Sequence, residues 1–248
     1  MIKKKQKPRE KRPENPIDLE TIAFQIRESY KTARANIVYS IIKKGCKKIV
    51  FTSSNKGEGK TVTSVNVAIA LAQQVNTRVL IIDCDLRRPQ LHNALNIDAA
   101  PGITNFLNGE VPQEDIIRST KFDNLKAVTY GAVPPNPSEL MASGSMKDFI
   151  KSVEKDFDFI IFDTPPIGVV IDAIPIIKSA DGVVIVVKND VTTYPDLKKI
   201  IGIVNRNGGK ILGTIINSID TTRTRKFGRK YYYKYDYKYG YGYGYGYY

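Results

Sequence analysis

The stretch Lys48-Ile49-Val50-Phe51-Thr52-Ser53-Ser54-Asn55-Lys56-Gly57-Glu58-Gly59-Lys60-Thr61 passes from an apolar run into a Gly-rich turn that ends on a lysine and a threonine. The run Lys48–Thr52 reads as a buried strand, and Thr61–Gln74 behind the turn reads as a helix. A Gly-rich turn in that setting offers backbone N–H groups and a helix N-terminus to an anion; the lysine adds charge, and the hydroxyl after it can reach Mg²⁺. Asn55, Lys56, Gly57, Glu58, Gly59, Lys60 and Thr61 are therefore expected to cradle nucleotide phosphates. The usual loop carries Gly six residues before its lysine, and here that position is Ser54. A surface turn rich in Gly and Lys is the alternative, so the chemistry needs further support.

Two more strand ends supply it. Val79-Leu80-Ile81-Ile82-Asp83-Cys84-Asp85-Leu86-Arg87-Arg88-Pro89 is an apolar run closing on two carboxylates two residues apart. Strand alternation places Asp83 and Asp85 on one side, at the edge where α/β sheets bind ligands, and two acids there need a cation between them. Asp158-Phe159-Ile160-Ile161-Phe162-Asp163-Thr164-Pro165-Pro166 closes on a single acid, which is how nucleotide-hydrolysing folds hold Mg²⁺. A Gly/Lys loop, an acid pair and a single acid, each at the end of a strand, together point to nucleotide hydrolysis or transfer.

The same alternation continues along the chain. Arg78–Ile82, Leu125–Thr129, Phe159–Phe162, Val183–Val187 and Leu212–Ile216 read as strands apolar on both faces. Helices are expected around Thr104–Leu107, at Ser138–Lys155, at Ala173–Lys178 and at Pro195–Asn205. Upstream, Ile22, Ile26, Tyr30, Ala33, Ile37 and Ile41 recur at helical steps from Asp18 to about Lys44, where Gly45 ends the helix. Such alternation predicts a three-layer α/β fold with a mostly parallel central sheet. His92 reads as a surface or helix-capping residue, and the apolar stretch Ile167–Ile177 as core packing. Asn217, after the last strand, is either a turn residue or the amide that reads an adenine edge.

The net charge of +13 is concentrated at the ends: residues 1–16 carry +5, residues 221–248 carry +6, and +2 is left for the middle. The chain thus divides into a basic arm (1–16), one domain (17–220) and a basic tail (221–248). Basic tails suit acidic lipid or nucleic acid, or keep a chain soluble; with a nearly neutral body, no nucleic-acid partner is expected. No apolar run reaches the ~18–20 residues that cross a bilayer, and the N-terminus lacks a signal peptide's apolar stretch, so a cytosolic protein is expected. Cys46 and Cys84 lie in no metal-ligand spacing and read as free buried thiols. A single histidine, His92, with no nucleophile motif sets aside Ser-His-Asp and Cys-His catalysis.

The set GEGKT (57–61), IIDCDLRRP (81–89) and FIIFDTPP (159–166), followed by a terminal tyrosine run, resembles the bacterial tyrosine kinases of capsule and exopolysaccharide export. The resemblance runs from about 17 to 220 and implies ATP and Mg²⁺ as cofactors. It implies that Lys60 binds the β- and γ-phosphates, that Thr61, Asp85 and Asp163 hold Mg²⁺, and that Asp83 accepts or orients the tyrosine proton. Lys60, Asp83 and Asp85 are thus the expected catalytic set. Arg87 or Arg88 would steady transferred charge or a neighbouring subunit, and sequence does not choose between them. The resemblance also implies a separate transmembrane activator, recruitment to the inner face of the membrane, a cognate tyrosine phosphatase and a homo-oligomeric ring. The family's ring motif, E-x-x-R-x-x-R, matches Glu28, Lys31 and Arg34, with lysine in place of the first arginine. Partitioning and septum-placement ATPases are the rival; they carry a second lysine five residues before the loop lysine, where this chain has Asn55.

Eleven of the fifteen tyrosines fall after Lys230: Tyr231, Tyr232, Tyr233, Tyr235, Tyr237, Tyr239, Tyr241, Tyr243, Tyr245, Tyr247 and Tyr248. Without varied apolar side chains such a segment cannot offset its ordering entropy, so it is expected to be disordered in isolation. Beside the kinase motifs it is the expected site of self-phosphorylation.

Overall fold

A computed structural model describes residues 24–219. The basic arm, Ile22 at the start of the expected first helix, and the tyrosine tail lie outside the described residues. The body of the fold ends at Asn217, and Ser218 begins a separate unit.

Helix α1 (Phe24–Ser40) precedes strand β1 (Lys47–Ser53), helix α2 (Lys60–Ala72), strand β2 (Val79–Asp83) and three short helices, α3 (Leu91–Leu95), α4 (Ile103–Leu107) and α5 (Gln113–Ile116). Then follow β3 (Arg118–Ser119), β4 (Leu125–Val128), α6 (Pro137–Ala142), α7 (Gly144–Val153), β5 (Phe159–Asp163) and α8 (Ile174–Ser179). Strand β6 (Gly182–Lys188), helix α9 (Tyr194–Arg206) and strand β7 (Ile211–Asn217) complete the body. The strands form one sheet in the order β3-β4-β2-β5-β1-β6-β7, parallel except for β3, which pairs antiparallel with β4.

The period-2 geometry of the strands divides the core in two. Ile49, Phe51, Val79, Ile81, Phe159 and Ile161 pack with Ile37 of α1 and with Val65, Ile69 and Leu71 of α2. The intervening residues Val50, Leu80, Ile82, Ile160 and Phe162 pack on the other face with Phe149 of α7, Ile176 of α8 and Ile200 of α9. Both faces of the central strands are covered, which is why their sequences are apolar at nearly every position.

Four details depart from the sequence reading. The helix expected over Ser138–Lys155 is two helices, because Ser143 adopts φ −62°, ψ 158° and its hydroxyl accepts the Met146 amide at 3.1 Å, starting α7 afresh. Helix α1 ends at Ser40, before Lys44; Ile41 stays buried beyond it, and Gly45, at φ +78°, turns the chain toward β1. His92 is half-buried in α3 with its ring 5.3 Å from that of Tyr130, and burial lowers its pKa. The 167–177 stretch is only partly core: Ile167, Ile176 and Ile177 are buried, whereas Val169 and Ile171 are exposed. Among the described residues no helix is long and apolar enough to cross a membrane.

Candidate functional site

The sheet order brings the three motifs together. Strand β5 lies between β2 and β1, and Asp163 is in register with both Asp83 and Phe51, so the loops that follow these three strands leave the same sheet edge side by side. Parallel strands open their carboxyl ends toward one face, and that is where such sheets bind ligands.

The loop between β1 and α2 turns through Gly57 at φ +78° and Gly59 at φ +87°, values that a side chain would strain. The buried Glu58 carboxylate folds beneath the loop, where it accepts the amides of Ser54 at 2.7 Å and Asn55 at 2.9 Å and a bond from the Thr192 hydroxyl. Glu58 was expected among the loop residues whose amides meet the phosphates; its side chain braces the turn, because a buried carboxylate needs donors and would repel phosphate. The same bond commits the Asn55 amide. Asn217 does not line the cavity beside the loop either: its Nδ2 donates to the Glu58 carbonyl at 3.1 Å, close enough to Gly59 that a Cβ there would lie 1.8 Å from it. Asn55, Lys56, Gly57, Gly59, Lys60 and Thr61 do line that cavity, which has a volume of about 930 Å³.

At the floor, the Lys60 ammonium lies 2.9 Å from Asp85 Oδ2 and 3.6 Å from Asp163 Oδ1, and Thr61 Oγ1 donates to Asp163 Oδ2 at 2.6 Å. Burial alone would lower the Lys60 pKa, but Asp163 and Asp85 outweigh it and hold the pKa above its ordinary value. Asp163 is pushed up by burial, against the pull of Lys60 and Thr61. Its buried Oδ1 lies beyond hydrogen-bond distance of any donor and faces the Lys60 ammonium at 3.6 Å, beside a hydroxyl and a second carboxylate. The oxygens of Thr61, Asp85 and Asp163 fit Mg²⁺, which binds one or two carboxylates and completes its shell with phosphate and water.

Asp83 and Asp85 are not presented alike, contrary to simple alternation, because β2 ends at Asp83 and Asp85 lies beyond the pleat. Asp85 faces the cavity, with its Oδ1 accepting the Arg88 amide at 3.1 Å. Asp83 is fully buried, and its two oxygens accept the amides of Asp85 and Leu91, both at 3.1 Å. Burial, followed by repulsion from Asp163, raises its pKa to about 8.

The adjacent arginines also differ. Arg87 Nε donates to Asp172 Oδ2 at 2.5 Å and Nη2 to Asp172 Oδ1 at 3.2 Å, and the buried Asp172 takes a further bond from the Ser138 hydroxyl. The exposed Arg88 side chain makes no hydrogen bond or ion pair among the described residues; both arginines line the cavity. Pro165, Pro166, Val169 and Val170 add an apolar wall to the lining. Gly168 brings that wall against the loop, since a Cβ on it would meet the Ser54 carbonyl oxygen at 2.3 Å. Sequence reading missed Asp172, Ser138, Thr192 and Gly168. Only Asp172 left a signal, as an acid inside an apolar run.

The expected ring residues lie on α1, apart from the residues that line this cavity. Lys31 pairs with Glu28 at 2.8 Å, both nearly half exposed, while Arg34 turns inward and donates to the Ala70 carbonyl at 3.0 Å.

Comparison with known proteins places this geometry. Residues 46–211 match the family described as AAA domain. The tyrosine-protein kinase YwqD of Bacillus subtilis (strain 168) is 35% identical over 201 residues, covering 81% of this chain and 84% of that protein. The kinase domain of the Escherichia coli tyrosine kinase ETK superposes with a TM-score of 0.79 at 25% identity, over 96% of this chain and 87% of that one. The septum site-determining protein MinD of Pyrococcus horikoshii, complexed with Mg-ADP, superposes with a TM-score of 0.58 at 26% identity, over 69% and 70%.

Proposed function

The chain belongs to the bacterial tyrosine-protein kinases, and on that premise we propose that it moves the γ-phosphoryl group of ATP to tyrosines of its own tail and serves capsule or exopolysaccharide export. The observation that carries the reading is the cluster of Lys60, Thr61, Asp85 and Asp163 on the floor of a Gly-lined cavity. Lys60 and the amides of Gly57, Gly59 and Thr61 hold the phosphates, and the Asn217 amide, once released from the Glu58 carbonyl, reads the adenine edge. Thr61, Asp85 and Asp163 would hold Mg²⁺, which neutralises charge building on the phosphate oxygens.

In the transfer, the bond from the γ-phosphorus to the bridging oxygen breaks and a bond to the phenolic oxygen forms, leaving ADP and phosphotyrosine. The phenolic proton goes to Asp83, as the resemblance implies. With its pKa raised to about 8 in the nucleotide-free protein, the ionised form that can accept this proton grows as pH rises toward 8. Reaching it requires the Asp85 and Leu91 amides to loosen, so the 84–91 loop moves with the chemistry. Such transfer depends on positioning and charge stabilisation, which is why neither His92 nor a cysteine is needed.

The apolar wall suits an aromatic ring, and a Tyr-rich peptide is an acceptor able to reach a γ-phosphate in line. A transmembrane activator would recruit the chain to the inner face of the membrane, a cognate phosphatase would reverse the modification, and Glu28, Lys31 and Arg34 would join copies into a ring. The likeness to MinD favours a second reading, an ATP-hydrolysing positional switch. Purified protein given ATP labelled on the γ-phosphate decides between them. Label fixed on tyrosine supports the kinase, and label released only as free phosphate sinks it.

A further inference from the structure

Two arginines follow the acid pair, and their surroundings differ. Arg87 is engaged through two of its nitrogens by one carboxylate, Asp172, which is itself buried and held by Ser138 at the start of α6. A planar guanidinium held in this forked way is fixed in direction and has its charge offset. The pair joins the loop after β2 to the segment after β5 that carries the apolar wall, so Arg87 ties two sides of the cavity together.

Arg88 is the opposite case. Its peptide N–H donates to Asp85 Oδ1, which fixes its backbone next to the Lys60–Asp85 pair. Like Arg87, Arg88 lines the same cavity, but its exposed side chain has no hydrogen-bond or ion-pair partner among the described residues. Lys60, on the floor, is already shared by Asp85 and Asp163. A phosphoryl group passing between two oxygens spreads charge over three equatorial oxygens, and a forked donor free to turn toward them is what the floor otherwise lacks.

We propose that the two arginines divide the work: Arg88 is a catalytic residue that contacts the phosphoryl group in transfer, and Arg87 is a positioning residue that acts through Asp172. This rests on the kinase reading of the cavity and adds no covalent step to it. Because the contact is a forked one, lysine should not replace Arg88.

The test uses the full chain with Mg-ATP and a synthetic peptide of residues 231–248 as acceptor, measuring kcat, KM, Mg-ATP binding, melting temperature and particle mass. Arg88→Ala should lower kcat roughly 10²-fold or more, with Mg-ATP affinity, melting temperature and mass close to the parent's, and Arg88→Lys should recover less than about a tenth of the loss. Arg87→Ala should lower the melting temperature and raise KM for the peptide. Its effect should not add to that of Asp172→Asn, whereas the effects of Arg88→Ala and Asp172→Asn should multiply. Arg88→Ala turning over within about threefold of the parent would overturn the proposal, as would a loss that tracks unfolding or a change in particle mass. Additive effects of Arg87→Ala and Asp172→Asn would remove the positioning half. A parent protein that labels no tyrosine brings down the kinase reading and this proposal together; a parent that labels tyrosine beside an equally active Arg88→Ala brings down only the proposal.

Discussion

The ammonium of Lys60 lies 2.9 Å from Asp85 Oδ2, and both side chains are nearly sealed from solvent, 11% and 7% exposed. The fully buried Asp163 is 3.6 Å from the same nitrogen. Lys60, the proposed phosphate ligand, therefore also offsets the charge of these carboxylates before nucleotide arrives. Removing one partner of a buried ion pair strands the other. Lys60→Met should abolish tyrosine phosphorylation and also destabilise the nucleotide-free protein by about 3 kcal/mol or more. Chemical denaturation read beside anti-phosphotyrosine signal checks both halves; a variant as stable as the parent would show that the carboxylates do not depend on the lysine.

Asp83 yields a pH prediction. Its folded pKa, about 8, stands above the ordinary value of 3.8 because of burial, followed by Asp163. The native state thus holds a proton that the unfolded chain has released, so this group's contribution to stability is fully present below about pH 4 and is lost as pH rises to about 8. The nucleotide-free parent should lose stability relative to Asp83→Asn across that window. Denaturation at half-unit pH steps on both proteins gives the difference curve. A flat curve would mean that Asp83 is ionised throughout. The same variant should slow transfer while leaving Mg-ATP binding largely intact.

What sequence made legible follows from what is local. Lys60, Thr61, Asp85 and Asp163 were placed because each ends or follows an apolar strand, and the register of Asp83 with Asp163 follows once those strands are neighbours. Asp172 showed only as an acid inside an apolar run and Ser138 not at all, because the bonds that Ser138 and Arg87 make to Asp172 span 34 and 85 residues of chain. The turn of the Glu58 carboxylate beneath the loop was not legible, because its position in the loop says nothing about which way the side chain points. The carboxylate's donors are the nearby Ser54 and Asn55 amides and the Thr192 hydroxyl, 134 residues on. Short elements such as α3 and β3 carry too few residues to show a period.

Gly168 tests the closeness of the wall to the loop. A Cβ there would meet the Ser54 carbonyl oxygen at 2.3 Å and its carbon at 3.0 Å, both backbone atoms that cannot swing aside. Gly168→Ala should force the wall and the phosphate loop apart, at a cost of about 1–3 kcal/mol by overpacking. Mg-ATP affinity should fall with stability, measured by nucleotide titration and thermal melts. Affinity unchanged alongside lowered stability would confine the strain to the wall.

Assembly supplies the last prediction. Glu28 and Lys31 are exposed on α1 and pair with each other, whereas Arg34 is committed to the Ala70 carbonyl of its own chain. A ring built on this stripe must therefore draw mainly on Glu28 and Lys31, and lysine offers a point charge where the family's motif has a fork. Lys31→Arg should strengthen self-association, and Arg34→Ala should lower the melting temperature more than it alters association. The tail adds charge of its own. At +6 it is attractive to an acidic neighbour, and four phosphates at roughly −1.5 to −2 each bring it to neutral or slightly negative. Dephosphorylated protein should assemble more readily than phosphorylated protein, and removing Tyr231–Tyr248 should abolish most self-phosphorylation while sparing activity on an added tail peptide. Light scattering on both phosphorylation states of the parent and of Lys31→Arg is the measurement, and equal masses in all four samples would defeat the switch while leaving the kinase chemistry standing.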